Sequence, residues 1–346
     1  MKKLYGYMAG TNLGGWISQY RELNHDHFKS FIVEEDIALI ASWGMDHIRV
    51  PIDYPVLEED VNPGVYLESG FQYLDNCIEW CKKHGLNLVI DVHRAPGFSF
   101  NTLDKNTLFT DPKMQQRFVD LWIAIARRYA GESDNIMYEL LNEIVEPDSL
   151  RWNDLATRLI EGIRKVDKKH RIVVGGIDYN SVNALKDMPI FDDPNIVYNF
   201  HMYEPFALTH QRASWSKEAM EFDRTMRYPD ESLQDYIDFA NFTPSRGLVN
   251  QYEGLTRMDV NYIRKFLKPA IEFIDKHDLP LYCGEYGVID HADMASREAW
   301  SEDLAEVLLE YGIGRAVWTY KSMSFAHIDG DRNPLSQRLI RAVSRH

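Results

Sequence analysis

Eight residues in this chain carry chemistry and finish apolar runs: Arg49, His93, Asn142, Glu143, His201, Tyr203, Glu285 and Trp318. Two of them, Glu143 and Glu285, are carboxylic acids. Opposing acids in one cleft are the usual machinery for breaking a glycosidic bond: one stays protonated and donates to the leaving oxygen, the other stays ionised and attacks. Groups able to split such a pair are present. Arg49 is a permanent cation that can hold one carboxylate ionised, and the Tyr203 hydroxyl can donate to the same group. Asn142 can hydrogen-bond a sugar hydroxyl, and Trp318 offers a flat apolar floor for a sugar ring. Singly, each has a plainer reading. A lone glutamate at a strand end is ordinarily ion-paired or solvated, a lone histidine in an apolar run is ordinarily a bonded core residue, and a lone tryptophan is ordinarily packing. Eight such residues at the ends of six strands leave the plainer readings little room.

A fold that brings strand ends together must position them. Short apolar runs alternate with helix-period segments along the whole chain. Tyr5–Thr11 is followed by Glu34–Trp43, closed by Gly44. His47–Ile52 is followed by a helical face of Phe71, Leu74, Ile78 and Cys81 that stops at Gly85. Leu86–Val92 precedes a helix with Asp111 as N-cap and Pro112 at its first position, running to Tyr129. Ile136–Leu141 pairs with Leu150–Val166, Arg171–Gly175 with a short helix over Val182–Lys186, and Ile196–Phe200 with a helix from near Pro269 to His277. Leu281–Cys283 leads to the helix Ser296–Tyr311, and Arg315–Thr319 to Ser336–Ser344. Eight alternations predict a (β/α)8 barrel spanning residues 1–346 as one domain, with active residues at the C-terminal strand ends. Asn12-Leu13-Gly14-Gly15-Trp16 lacks the phosphate-binding glycine pattern that a doubly wound sheet needs after its first strand. Phe206–Leu267 interrupts the alternation as an aromatic-rich insertion after the sixth strand. Trp215 is its expected contact with substrate, most of its other aromatics being expected to pack the insertion itself.

The 346 residues carry 38 Lys+Arg against 53 Asp+Glu, a net charge of −15. Such a surface repels phosphate backbones and anionic lipid, so nucleic acid and membrane are excluded as partners, and a neutral sugar chain fits. A monomer is expected. Cys77, Cys81 and Cys283 are too few for a disulfide framework and read as buried thiols. Lys2-Lys3 is followed by no apolar segment, so this chain shows no secretory signal; a cytoplasmic setting is expected, or a secreted one if a leader has been removed.

Ile48-Arg49-Val50-Pro51, Asp91-Val92-His93, Leu141-Asn142-Glu143, His201-Met202-Tyr203, Gly284-Glu285-Tyr286-Gly287 and Val317-Trp318, in this order, resemble glycoside hydrolase family 5. The resemblance covers essentially the whole chain. Asn12–Tyr20, Thr209-His210-Gln211 with Trp215, and Leu281–Glu285 bring it nearest to the family's single-domain clostridial type, which carries a helical insertion after strand six. It implies a retaining endo-β-1,4-glucanase, active also on mixed-linkage β-1,3/1,4-glucan. Glu143 would be acid/base with the higher pKa, Glu285 the nucleophile, and Arg49, His93, Asn142, His201, Tyr203 and Trp318 the supporting set. No cofactor or metal is implied. Arg94, beside His93, lies where subsites vary. The alternatives are a β-mannanase or glucomannanase, or an exo-acting β-glucosidase on oligosaccharides. A non-catalytic carbohydrate-binding barrel would have lost a glutamate. A metal-dependent barrel hydrolase would need a His-x-His pair that Tyr5–Thr11 lacks.

Overall fold

The structure is a computed structural model describing residues 3–243 and 249–346; residues 244–248 of the expected insertion lie outside the described residues. Eight parallel strands close into one barrel in chain order: β1 (Gly10–Asn12), β2 (His47–Asp53), β3 (Asn87–Arg94), β4 (Ile136–Glu139), β5 (Arg171–Gly175), β6 (Ile196–Met202), β7 (Leu281–Tyr286) and β8 (Gly314–Val317). β1 seals the barrel by pairing Gly10 with Ala316 and Thr11 with Val317. No described helix is long and apolar enough to cross a membrane.

Local signals set the helices. The Asp111 side chain accepts from Lys113 N at 2.8 Å and caps Pro112–Tyr129. Gly85, at φ +72°, ends Glu68–His84 in the left-handed conformation that glycine tolerates. Four fully buried tryptophans then tie scaffold to backbone. From barrel helices, Trp122 Nε1 donates to Leu140 O (2.9 Å), Trp152 Nε1 to Gly175 O (2.8 Å) and Trp300 Nε1 to Glu204 O (3.2 Å). These carbonyls sit at or just past the ends of β4, β5 and β6. The outer helices thus hold in place the strand ends where a barrel does its chemistry. Cys77, Cys81 and Cys283 are free and buried.

Three expectations need correction. β1 is three residues long rather than Tyr5–Thr11. Leu4 and Tyr7 instead plug the barrel floor against Val89, Met137, Val173, Val197, Tyr282 and Ala316, so their apolarity records burial without strand pairing. β4 stops at Glu139, before Asn142 and Glu143. Leu140 N and Asn142 N still reach Val173 O (3.0 Å) and Val92 O (3.1 Å), but Glu143 turns to φ +40° and leaves the ladder. β8 ends at Val317, so Trp318 stands in the loop beyond it. Residues 206–267 hold short helices at Phe206–Thr209, Lys217–Phe222, Gln234–Phe242 and Val260–Phe266. Tyr228, Tyr236, Phe239, Tyr252 and Tyr262 are buried among them.

Behind the loop after β8, His327 is buried and its Nδ1 donates to Thr319 O at 2.7 Å. Burial, with Arg297 nearby, pulls it down to about 4. Below its unfolded value near 6.5 the unfolded chain takes a proton that the folded chain refuses, so this group costs stability as pH falls from 6.5 towards 4. His327→Gln removes that cost. Whatever its offset at neutral pH, the variant should gain about 2–3 kcal/mol on its parent on going to about pH 4.5, read from urea midpoints. A pH-independent difference would mean that His327 titrates normally in the fold.

Candidate active site

Arg49 is the hub. It is fully buried at the centre of β2, and every guanidinium nitrogen is engaged. Nε and Nη2 grip Glu139 at 2.7 and 2.8 Å. Nη1 donates to Glu285 Oε1 at 2.7 Å and to Asn12 Oδ1 at 2.8 Å. Nη2 also reaches Asn142 Oδ1 and Asp91 Oδ2, both at 3.0 Å. The Tyr203 hydroxyl, one residue past β6, donates to Glu285 Oε2 at 3.0 Å. Both oxygens of Glu285 therefore accept, and the carboxylate is fixed in direction.

A bulge aims it. Phe200 pairs with Cys283 but His201 pairs with Glu285, so β7 spends one extra residue, Gly284, opposite β6. A Cβ on Gly284 would stand 2.9 Å from Asn199 Oδ1, which accepts from Gly284 N at 2.9 Å. Only glycine fits that step. Glu143 approaches from the other side. Its Oε1 lies 3.1 Å from His201 Nδ1, and its side chain keeps 15% exposure where Glu285 keeps 6%. One atom each of Glu143, His201 and Glu285 come within 4.8 Å of one another, the one grouping among the described residues close enough to share a cation.

His93 donates Nδ1–H to Asp91 Oδ2 at 2.7 Å, which leaves Nε2 to face Asn142 Nδ2 at 3.5 Å. Its ring stacks on Trp318 with centroids 5.7 Å apart and planes 6° from parallel. A Cβ on Gly14 would meet the Trp318 indole at 2.8 Å, so this glycine makes the room for that floor.

Arg49 pulls the Glu285 carboxyl down, in the direction expected, but burial outweighs that pull. Burial pushes the Glu285 carboxyl above its ordinary value, against the pull of Arg49 and with a further push from Glu143. Burial likewise raises Asp91, to about 7, and Glu139. One guanidinium divided among three buried carboxylates cannot satisfy them all. Burial keeps the Tyr203 phenol protonated, as a donor, and pulls His201 down to about 4, so its imidazole is neutral near neutral pH.

The eight residues named from sequence converge on this cleft. Trp215 stands beside it, 58% exposed, edge-on to His210 (6.1 Å) and tilted on Phe325 (6.3 Å); both of these rings also contact Tyr203. If it stacks on substrate, Trp215→Ala should weaken polymer hydrolysis about 2–10-fold through KM, the worth of one aromatic contact, and shift stability by under about 0.5 kcal/mol. Unchanged kinetics on a polymer would remove it from the residues that bind substrate. The layer beneath was missed: Asn12, Asp91, Glu139 and Asn199, all buried. Asp91 and Glu139 carried a readable signal, a charge inside an apolar strand.

Known proteins match this arrangement. The family model for cellulase (glycosyl hydrolase family 5) matches residues 9–324. Endoglucanase C of Acetivibrio thermocellus is 47% identical over 342 residues, covering 99% of each chain. Cellodextrinase A of Ruminococcus flavefaciens is 35% identical over 317 residues, covering 91% of this chain and 86% of its own. Among solved structures, an endoglucanase of the hyperthermophilic Thermotoga maritima superposes with a TM-score of 0.75 at 25% identity, over 98% of this chain and 97% of its own. With a family match across most of its length and relatives aligned over nearly all of it, the chain belongs to glycosyl hydrolase family 5.

Proposed function

We propose that this glycoside hydrolase is a retaining endo-β-1,4-glucanase that also cuts mixed-linkage β-1,3/1,4-glucan, with Glu143 as acid/base and Glu285 as nucleophile. The observation that carries the mechanism is the short gap between the two acids. One oxygen of each lies within 4.8 Å of one of the other, a gap that suits carboxyl groups ~5–5.5 Å apart, as in retaining enzymes. Glu285 attacks the anomeric carbon while the glycosidic bond breaks and the leaving oxygen takes the Glu143 proton. Glu143 then removes a proton from water, which displaces Glu285 and returns the enzyme to its starting state. Arg49 and Tyr203 orient Glu285, Asn142 and His93 meet the sugar hydroxyls, and Trp318 and Trp215 stack on sugar faces. Residues 206–267 serve as an inserted subdomain walling one side of the cleft. No cofactor takes part. The substrate assignment is supported by relatives named endoglucanase at 47% identity.

Two observations favour neighbouring readings. A relative at 35% identity is named a cellodextrinase, which points to oligosaccharides. A structure of the Thermotoga maritima enzyme, 25% identical with a TM-score of 0.76, holds mannotriose, which points to mannan. Side-by-side assays on carboxymethylcellulose, barley glucan, laminarin and mannan separate them. The proposal expects barley glucan and carboxymethylcellulose to be cut, with viscosity falling faster than reducing ends appear. Preference for mannan, or release of glucose without loss of viscosity, would overturn it.

A further inference from the structure

The loop after β5 holds a residue that no part of the scheme above uses. Asp178, Tyr179 and Asn180 stand consecutively at φ +56°, +57° and +55°. Residues with side chains pay for that left-handed conformation, asparagine least, and it persists only where the surroundings impose it. Here they do so from two sides. Tyr179 N donates to Ile144 O at 3.2 Å, the residue after Glu143. Ser181 forms an isolated parallel bridge with His201. The outcome is that Asn180, fully buried, puts its Nδ2 3.4 Å from His201 Nε2. Its Oδ1 finds no hydrogen-bond partner among the described residues. Gly175 makes the space, since a Cβ there would lie 2.4 Å from Asn180 Oδ1.

We infer that Asn180 is a positioning residue for the acid/base: by donating to His201 Nε2 it fixes the Nδ1–H tautomer, so that His201 donates to Glu143 Oε1 and leaves the catalytic proton to Oε2. This rests on the acid/base role proposed for Glu143. A neutral imidazole has one donor and one acceptor nitrogen, and the partner of one decides the other. His201 is neutral at working pH, since burial pulls it down to about 4. With one oxygen of Glu143 held by a fixed donor, the acid presents its proton from a single oxygen in a single direction. Without Asn180 the tautomer is free to invert, Nδ1 becomes an acceptor, and the Glu143 proton can turn inward to it and away from the leaving oxygen.

Nitrogen-15 NMR of histidine-labelled protein tests this, with the His201 signals assigned by their loss in His201→Gln. The parent should show the Nδ1–H tautomer at His201. Asn180→Asp, which keeps shape but offers an acceptor, should switch it to Nε2–H. In the same variant kcat/KM on cellotetraose, whose leaving group needs a proton, should fall ~10-fold or more. On a 2,4-dinitrophenyl β-cellobioside, whose leaving group needs none, it should change less than ~3-fold. A purely structural role would lower both equally. An Nε2–H tautomer in the parent, or equal losses on both substrates while Glu143→Ala still discriminates between them, would overturn the inference. Failure of Glu143→Ala to discriminate would instead count against the acid/base assignment, and the tautomer measurement would still decide the role of Asn180. If Asn180→Asp folds poorly, the parent spectrum alone can refute it.

Discussion

Azide should rescue Glu143→Ala and Glu285→Ala to products of opposite anomeric configuration. Glu143→Ala is expected to lose about 10²–10⁴ in kcat on an unactivated cellooligosaccharide, the usual worth of a positioned general acid. Glu285→Ala should lose more, because the attacking group itself is missing. On an aryl cellobioside with a good leaving group the first step needs no protonation, so Glu143→Ala should still glycosylate Glu285 and then stall, since nothing activates water. Azide needs no base. It should release the stalled intermediate as the β-glycosyl azide. In Glu285→Ala no intermediate forms, and azide can enter only from the vacated face, giving the α-azide. Proton NMR of the products distinguishes the two. The α-azide from Glu143→Ala and the β-azide from Glu285→Ala would reverse the roles. The geometry favours the assignment made here: Glu285 is held at both oxygens by Arg49 and Tyr203 and is nearly buried, as a nucleophile aimed at one carbon should be. Glu143 keeps more exposure, as a group that exchanges protons with water should.

Much of this was legible in the sequence, for physical reasons. Asp111, Pro112 and Gly85 are punctuation whose local chemistry fixes a helix end whatever surrounds it, and Arg171–Gly175 was bounded to the residue. The eight cleft residues were found because a polar group closing an apolar strand must have somewhere to go. Apolarity, however, reports burial without naming the partner. Tyr7, buried under the barrel beside Leu4, was read as strand. Asn12 and Asn199 gave no signal, since an asparagine beside a strand end suits a turn as well as a buried bond. Asn180 was invisible, because its role depends on three left-handed residues that pattern does not encode. Nor does pattern show how one charge is shared. Arg49 was expected beside Glu285 and lies there, but its division among Glu139, Asp91 and Glu285 exists only in three dimensions.

That division sets the second large effect. Glu139 is wholly buried and accepts from Arg49 twice and from Asn199 Nδ2 at 2.9 Å. Glu139→Ala strands a buried cation's donors and an amide together, and breaking a buried pair from one side costs about 3–5 kcal/mol. The variant should unfold at markedly lower urea, and its activity should fall as Arg49 loses the fork that orients it towards Glu285. Glu139→Gln is the more informative change. It keeps the volume but offers one acceptor oxygen where two served, so a smaller cost of about 1–3 kcal/mol is expected. It also removes a negative charge that competes for Arg49. More of the guanidinium's field then falls on Glu285, whose carboxyl burial now pushes up, so its pKa should move down. The acid limb of kcat/KM against pH, which reports the nucleophile in the free enzyme, should therefore shift to lower pH in Glu139→Gln. An upward shift would mean that the lost bond loosens Arg49 from Glu285 more than the lost charge frees it. An unmoved limb with lowered stability would mean that Glu139 supports only the packing of the barrel, and that the charge on Glu285 is set by Arg49, His201 and Tyr203 alone.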